Sequence, residues 1–364
     1  MMRGCPKLNT GLLTASLAVT AVLAWSAGSN NAANLIAAVV GARVLKLENA
    51  LAVAAVFELI GSLALGSTIA STMSTGLVRV EGVPAQAVSA GVISVMLAAG
   101  VWILAASILR VPVSINETVL AGLIGLGLSL DSGRVQWPTI AFIYISRFLT
   151  IPLSGGIAYL LRKHLADRLG SRSGVKGSAY LTLFLTVALT ASFTLTKILG
   201  TVASLLVAIA LGAFTTSATR AWVKGRARNA YEEVSTYERG TAALLIMLMS
   251  LSHGASNAGV VAGPLLTALN PRGFGGGVVP VLLAFSGSLM SLGMLSWGRR
   301  VVGTLGEELT TLSYPTAFIS YVAASTTVLT FAQLGSRRPP LWPSQGASWG
   351  SVSRRATAPS TRGR

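Results

Sequence analysis

Two short strings of small and polar residues lie inside otherwise apolar sequence: Gly28-Ser29-Asn30-Asn31-Ala32-Ala33-Asn34 and Gly254-Ala255-Ser256-Asn257-Ala258-Gly259-Val260. A carboxamide offers a donor and an acceptor without net charge. Asn30, Asn31, Asn34 and Asn257, with the hydroxyl of Ser256, can therefore bind an oxyanion or a cation. If helix continues there, Asn30 and Asn34, or Asn31 and Asn34, share one face. Each string halts a long apolar stretch that resumes at once, which predicts a broken transmembrane helix. Non-helical backbone at membrane depth persists only where protein buries it or a polar cavity faces it, and half-helix N-termini there attract anions. Such residues also act as packing positions between membrane helices; recurrence in both halves of the chain favours a site.

A second polar element runs Val111-Pro112-Val113-Ser114-Ile115-Asn116-Glu117-Thr118 and leads into a stretch holding Gly122, Gly125 and Gly127. Pro112 suits the first turn of a helix because it has no N–H to lose, and Ser114 and Asn116 then sit beside open backbone donors. The spacing predicts a re-entrant turn feeding a glycine-rich helix. Carboxylates at mid-bilayer cost on the order of 2.5–3.5 kcal/mol even on lenient scales, so Glu58 and Glu117 stand out as ion-coupling candidates. Glu58 can alternatively pair with a basic residue such as Arg147 or Lys197 and hold helices together. Glu117 falls where a bound anion is expected, and it would repel that anion unless protonated or neutralised by a cation, which makes it a candidate proton-coupling group. His253, just before the second string, reads as a helix-packing partner or a substrate contact. A hydrolase built on Ser252 or Ser256 with His253 is disfavoured, because adjacent helical residues diverge and no orienting acid accompanies them; no enzyme is expected. No metal-ligand spacing, P-loop or dinucleotide fingerprint occurs, so no cofactor is expected beyond sodium or a proton as coupling ion.

The elements that must position these groups are membrane helices. Of 364 residues 52% are apolar and 11% charged, too few charges for a water-facing surface. Apolar stretches of about 20 residues, the length that spans a bilayer, recur at 11–27, 48–72, 85–108, 118–130, 137–161, 179–196, 201–219, 239–252, 277–297 and 312–333, predicting about ten crossings. Runs such as Leu51 to Leu65 are apolar on all sides, unlike the alternating strands of a barrel. The net charge of +17 sits in short loops, which argues for a lipid bilayer as partner rather than nucleic acid. Arg162, Lys163, Arg168, Arg172 and Lys176 mark one loop and Arg220, Lys224, Arg226 and Arg228 another. Both are expected at the cytoplasmic face, with two helices turning near Gly200 between them. Cys5 is the single cysteine, which excludes an internal disulfide. Arg3 and Lys7 ahead of an apolar run also fit a signal peptide, but the polar string that follows reads as functional rather than as a cleavage site.

The strings, in this order, resemble the inorganic phosphate transporter family, often abbreviated PiT, whose hallmark is a doubled G-A-N-D-V-A-N motif and a doubled P-V-S-T-T-H motif. Phe57-Glu58-Leu59-Ile60-Gly61 looks like the family's F-E-F-L-G, Gly263-Pro264-Leu265 like its G-P-L, and Trp297-Gly298-Arg299-Arg300-Val301-Val302 like its W-G-K-R-V-I. The resemblance implies an all-α polytopic fold of two inverted repeats with interrupted or re-entrant helices. It implies secondary transport of inorganic phosphate, in most relatives with sodium, at a multi-pass protein of the cell membrane. Sulfate or another oxyanion, or a relative that no longer transports, are the alternatives. A homo-oligomer is compatible with the sequence. The first repeat spans 1–161, basic loops and a central helical hairpin 162–238, and the second repeat 239–335. Departures are equally informative. Asn31 and Asn257 stand where the motif has Asp, Ser256 and Val260 where it has Asn, and Ser114-Ile115-Asn116-Glu117 where Ser-Thr-Thr-His is expected. In the family the Asp and Asn groups are associated with sodium and the Ser-Thr-Thr turns with phosphate oxygens. Carried over, the resemblance supports Asn30, Asn31, Asn34, Ser114, Asn116, Ser256 and Asn257 as substrate-binding positions.

A second P-V-S-T-T-H element should follow Leu334-Gly335, but residues 336–364 are a basic tail rich in Ser, Arg and Gly with no acid. One reading is a disordered or lipid-associated tail. The other is a reading-frame slip. With Ser as TCN and Arg as CGN, triplets beginning at the third base of codon 334 permit a Pro opposite Pro112 and glycines opposite Gly122, Gly125 and Gly127. The Trp349-Gly350 junction must then encode the glycine opposite Gly125. The slip predicts that resequencing restores a second re-entrant element; a peptide through Arg364 found by mass spectrometry would instead establish the tail.

Overall fold

The computed structural model describes residues 10–169, 180–269, 277–303, 319–324 and 327. Among them the chain is helical, with one isolated bridge between Val78 and Val135 in place of any strand. In chain order the helices are α1 (Thr10–Gly41), α2 (Leu47–Leu65), α3 (Ser67–Thr75), α4 (Ala85–Ile108), α5 (Ile115–Leu130), α6 (Trp137–Leu169), α7 (Tyr180–Leu199), α8 (Thr201–Arg226), α9 (Ala230–Leu269) and α10 (Val278–Gly303). Seven of them, α1, α2, α4, α6, α8, α9 and α10, are long and apolar enough to cross a membrane. The sequence expectation of about ten is therefore not met among the described residues. At 16 residues α5 is short for a crossing, and the 312–333 stretch lies largely outside those residues. The tail 336–364 lies wholly outside them. α7 and α8 turn back on each other at Gly200, whose φ of 77° is the left-handed conformation that glycine adopts without strain.

Neither polar string breaks its helix. α1 has 32 residues and α9 has 40, and both run helically through Gly28–Asn34 and Gly254–Val260. The physical reason is that polar side chains, rather than freed backbone, supply the site's donors, so the backbone keeps its own ladder. The strings instead mark a polar layer. One apolar cluster takes α1 up to Ala27 and α9 from Ala258, and a second takes α1 from Ala32 and α9 up to Ile246.

The predicted turn at 111–118 joins α4 and α5 in a hairpin. Arg110, at φ 60°, turns the chain, and α5 returns to the end where α3 finished, with Arg79 N donating to Arg134 O (2.8 Å) and Gln136 N to Leu77 O (2.9 Å). The tip docks on Asn30, while α1 continues to Gly41, roughly 16 Å further at about 1.5 Å per residue. Pro112 lies ahead of the helix rather than in its first turn: Ser114 is the N-cap, and its hydroxyl accepts from Glu117 N.

Helix contact at the centre is backbone to backbone. A Cβ on Gly28 would strike the main chain of Met290 and one on Gly293 that of Trp25; across the molecule, one on Gly254 would strike Glu58 and one on Gly61 would strike Leu251. α2 and α10 run antiparallel, with Ser62 Oγ donating to Leu283 O (2.7 Å) and Ser291 Oγ to Ala55 O (2.8 Å). α3 and α9 run parallel, Gly259 beside Ala70 and Gly263 beside Met73. Gly254→Ala is expected to lower stability by about 1–3 kcal/mol or more through overpacking, whereas Gly125→Ala, with open space around it, should be neutral or stabilise by up to about 1 kcal/mol. Thermal unfolding in detergent compares the two.

Candidate functional site

The hairpin tip carries backbone groups that lipid cannot satisfy, and Asn30 meets them. Its Nδ2 donates to Val111 O (2.9 Å) and Ser107 Oγ (3.2 Å), and its Oδ1 accepts from Val113 N (2.7 Å). Ser29 Oγ adds a bond to Ser107 Oγ (3.3 Å). Asn30 is fully buried, and its amide is spent on the hairpin. Expected at the substrate, it instead holds the wall in place.

Between this tip, α1 and α9 lies a cavity of about 280 Å³ lined by Asn31, Asn34, Pro112, Val113, Ser114, Ile115, Asn116, His253 and Asn257. At roughly 30 Å³ per water, it has room for a tetrahedral oxyanion and several waters. Asn34 Nδ2 donates to Asn31 Oδ1 (3.2 Å), while Asn31 Nδ2 and Asn116 Oδ1 are buried without a protein partner. Ile115 and Asn116 open α5, and first-turn N–H groups have no intrahelical acceptor, so the positive end of that helix faces the cavity. Asn116 Nδ2 donates to Ser256 Oγ (3.3 Å), tying α5 to α9. Ser256, like Asn30, thus stands behind the wall.

The two acidic candidates are elsewhere than expected. Glu58 does not pair with Arg147, which engages Glu117 instead, and the Lys197 side chain lies outside the described ones. It is fully buried on α2, with Oε1 3.2 Å from His253 Nδ1. Asn257 Nδ2 lies 2.8 Å from Nδ1 and 3.0 Å from Nε2. The network is consistent when Nδ1–H donates to Glu58 and Nε2 accepts from Asn257, a tautomer assigned from the partners. Glu117 does not line the cavity. Its carboxylate is paired with Arg147 of α6, because the first turn of α5 turns residue 117 outward while Asn116 faces in. Among the described residues no cluster of His, Cys, Asp and Glu could hold a metal ion.

Five of the positions anticipated from sequence, Asn31, Asn34, Ser114, Asn116 and Asn257, therefore meet on one cavity. His253 joins them as the residue that links Glu58 to it. Arg147 was legible as a lone guanidinium inside the apolar run 137–161, but its partner was not.

The match to known proteins follows the same elements. The description "Phosphate transporter family" matches residues 27–338, which include both strings, the hairpin and the cavity. The chain belongs to that family. The solved structure of a sodium-dependent phosphate transporter superposes with a TM-score of 0.78 at 27% identity, over 89% of this chain and 85% of that one. Inorganic phosphate transporter 2-1 of the Arabidopsis thaliana chloroplast is 27% identical over 90% of this chain and 64% of its own length. This family member is a multi-pass membrane protein, and its relatives are transporters rather than enzymes.

Wall and lining separate by experiment. Asn30→Ala strands the Val111 carbonyl and the Val113 N–H, each costing about 1–3 kcal/mol when buried, so its loss should appear first as a lower melting temperature. Asn34→Ala, at an exposed lining position, should leave melting within a degree or two and weaken phosphate binding by roughly tenfold, about one lost hydrogen bond to a charged group. Calorimetric binding alongside thermal unfolding distinguishes them.

Proposed function

We propose that the protein is a secondary carrier of inorganic phosphate in the cell membrane, binding its substrate in the cavity at the α4–α5 hairpin tip. The observation that carries this reading is the lining itself. Four amides and one hydroxyl converge with the N-terminus of a helix, and among the described residues no carboxylate lines the cavity. Neutral donors gathered in one cavity favour an oxyanion, and amide oxygens can accept the protons that phosphate, unlike sulfate, carries near neutrality.

The two halves are read as inverted repeats. α10 is antiparallel to α2 and packs on α1, while α9 runs alongside α2 and α3. Since α1 and α2 are joined by a short turn, α1 and α9 enter from opposite sides. The paired contacts match this, with Gly28 on Met290 mirrored by Gly254 on Glu58, and Gly293 on Trp25 mirrored by Gly61 on Leu251. Such opposed halves provide alternating access around a fixed central site. Arg43, Lys46, Arg299 and Arg300 lie at the end where α1 and α10 finish, with Glu48 paired to Arg299, and among the described Lys and Arg only Arg79 and Arg134 flank the α3 end of the hairpin; by its excess of Lys and Arg the first end is assigned to the cytoplasm.

Coupling is to sodium or to protons, with sodium weakened. Asn31 and Asn257 place neutral amides at both motif positions, and hard cations are held far better by carboxylates. A second reading, a relative without transport, has one supporting observation: among the described residues only one hairpin tip lines the cavity, and the second half adds only His253 and Asn257. Proteoliposomes offered radiolabelled phosphate and sulfate decide between them, with phosphate uptake expected and sodium stimulation shallow. Asn31→Asp combined with Asn257→Asp should steepen the sodium dependence. Steep stimulation of the unaltered chain would refute the argument from the two amides, and no uptake by folded protein would leave the second reading.

A further inference from the structure

Glu117 and Arg147 join α5 to α6, and neither contributes to the cavity lining. We infer that Arg147 is a positioning residue for the anion site: it cancels the charge of Glu117 one residue behind the cavity wall, so that the substrate meets a neutral hairpin tip rather than a carboxylate. The inference rests on the carrier reading above and assigns the groups that set the charge state of phosphate the site accepts.

Asn116 faces the cavity and Glu117, its side chain a little over a third exposed, follows it in the same helical turn, so an ionised Glu117 stands close behind the bound anion. The N-terminal dipole of α5 offsets part of that charge. The described structure shows no other cation on it, and its second oxygen, Oε2, is buried with no partner. The remaining charged and titratable groups around the tip do not substitute for Arg147. Glu58 of α2 and His253 of α9 engage each other, α1 presents only the amides of Asn31 and Asn34, and Arg110 sits exposed at the hairpin turn. Removing the Arg147 charge therefore shifts the field at the cavity by one negative unit. At an effective dielectric near 20 and a separation of about 10 Å, that is worth roughly tenfold in affinity for each unit of substrate charge.

The competing role is mechanical. α6 turns Ile145, Phe148 and Ile151 outward, so the ion pair could serve only to bolt α6 to the hairpin. The two roles differ in sign once both charges are removed. A bolt is lost equally in Arg147→Gln and in Arg147→Gln with Glu117→Gln. A neutralising charge becomes unnecessary when the carboxylate is gone.

The test uses the full chain in proteoliposomes, with radiolabelled inorganic phosphate uptake resolved into KM and kcat across the pH range where phosphate passes from monoanion to dianion, and phosphate binding in detergent alongside. Arg147→Gln should raise KM roughly tenfold or more and move the optimum to lower pH, since an uncompensated carboxylate repels the dianion twice as strongly as the monoanion. Arg147→Lys should keep the wild-type profile. Glu117→Gln should lower KM and move the optimum to higher pH, and the double Gln variant should return to within about threefold of wild type. If Arg147→Gln does not fold, Glu117→Gln and the double variant carry the opposite-sign comparison. A double variant as impaired as Arg147→Gln, an unchanged Arg147→Gln, or a Glu117→Gln variant with raised KM overturns the inference while leaving the carrier reading intact. Wild-type protein that neither binds nor moves phosphate overturns both.

Discussion

The architecture depends on two helix crossings at which no side chain intervenes. Lipid tails are as apolar as the helices they surround, so association in a bilayer must come from close packing and polar contact rather than from water exclusion. Gly28 and Gly293 let α1 and α10 meet backbone to backbone, and Gly254 and Gly61 do the same for α9 and α2. These approaches set the two polar strings beside each other at the boundary of two apolar clusters. They also bring the Glu58 backbone against Gly254, which is what delivers the Glu58 carboxylate to His253. A methyl group at any of the four positions would push apart helices whose faces define the cavity.

Around that crossing the polar groups divide into those that build the site and those left open to a substrate. Asn30 and Ser256 stand at matching places in the two strings, and each is spent on the hairpin, one at its entry and the other at Asn116. Asn31 and Asn257, the next residue in each string, turn into the cavity. The helical rotation between neighbours thus separates the residues bonded to the hairpin from those lining the cavity. The acidic groups are kept out of the cavity by pairing, Glu58 with His253 and Glu117 with Arg147. Glu58 and His253 form the more buried of the two pairs, and breaking a buried pair leaves a costly lone charge, whereas the Glu117–Arg147 pair is more than a third exposed.

The membrane class, the helical content, the doubled string, a turn ahead of the glycine-rich helix and the family were all legible in the sequence, because each is a property of local composition or of order along the chain. So was the polar character of the site, since amides and hydroxyls stranded in apolar sequence must find one another. The expectation of broken helices failed for a specific reason. Glycine and asparagine interrupt hydropathy whether or not they interrupt the backbone, and here the side chains do the work that freed carbonyls do in a broken helix. Which amide meets the hairpin and which lines the cavity, which cation pairs with Glu117 and which acid reaches His253 were decided only by the tertiary structure. Each depends on the rotational setting and crossing of helices distant in sequence, and pattern along a single chain does not encode the angle at which two helices meet.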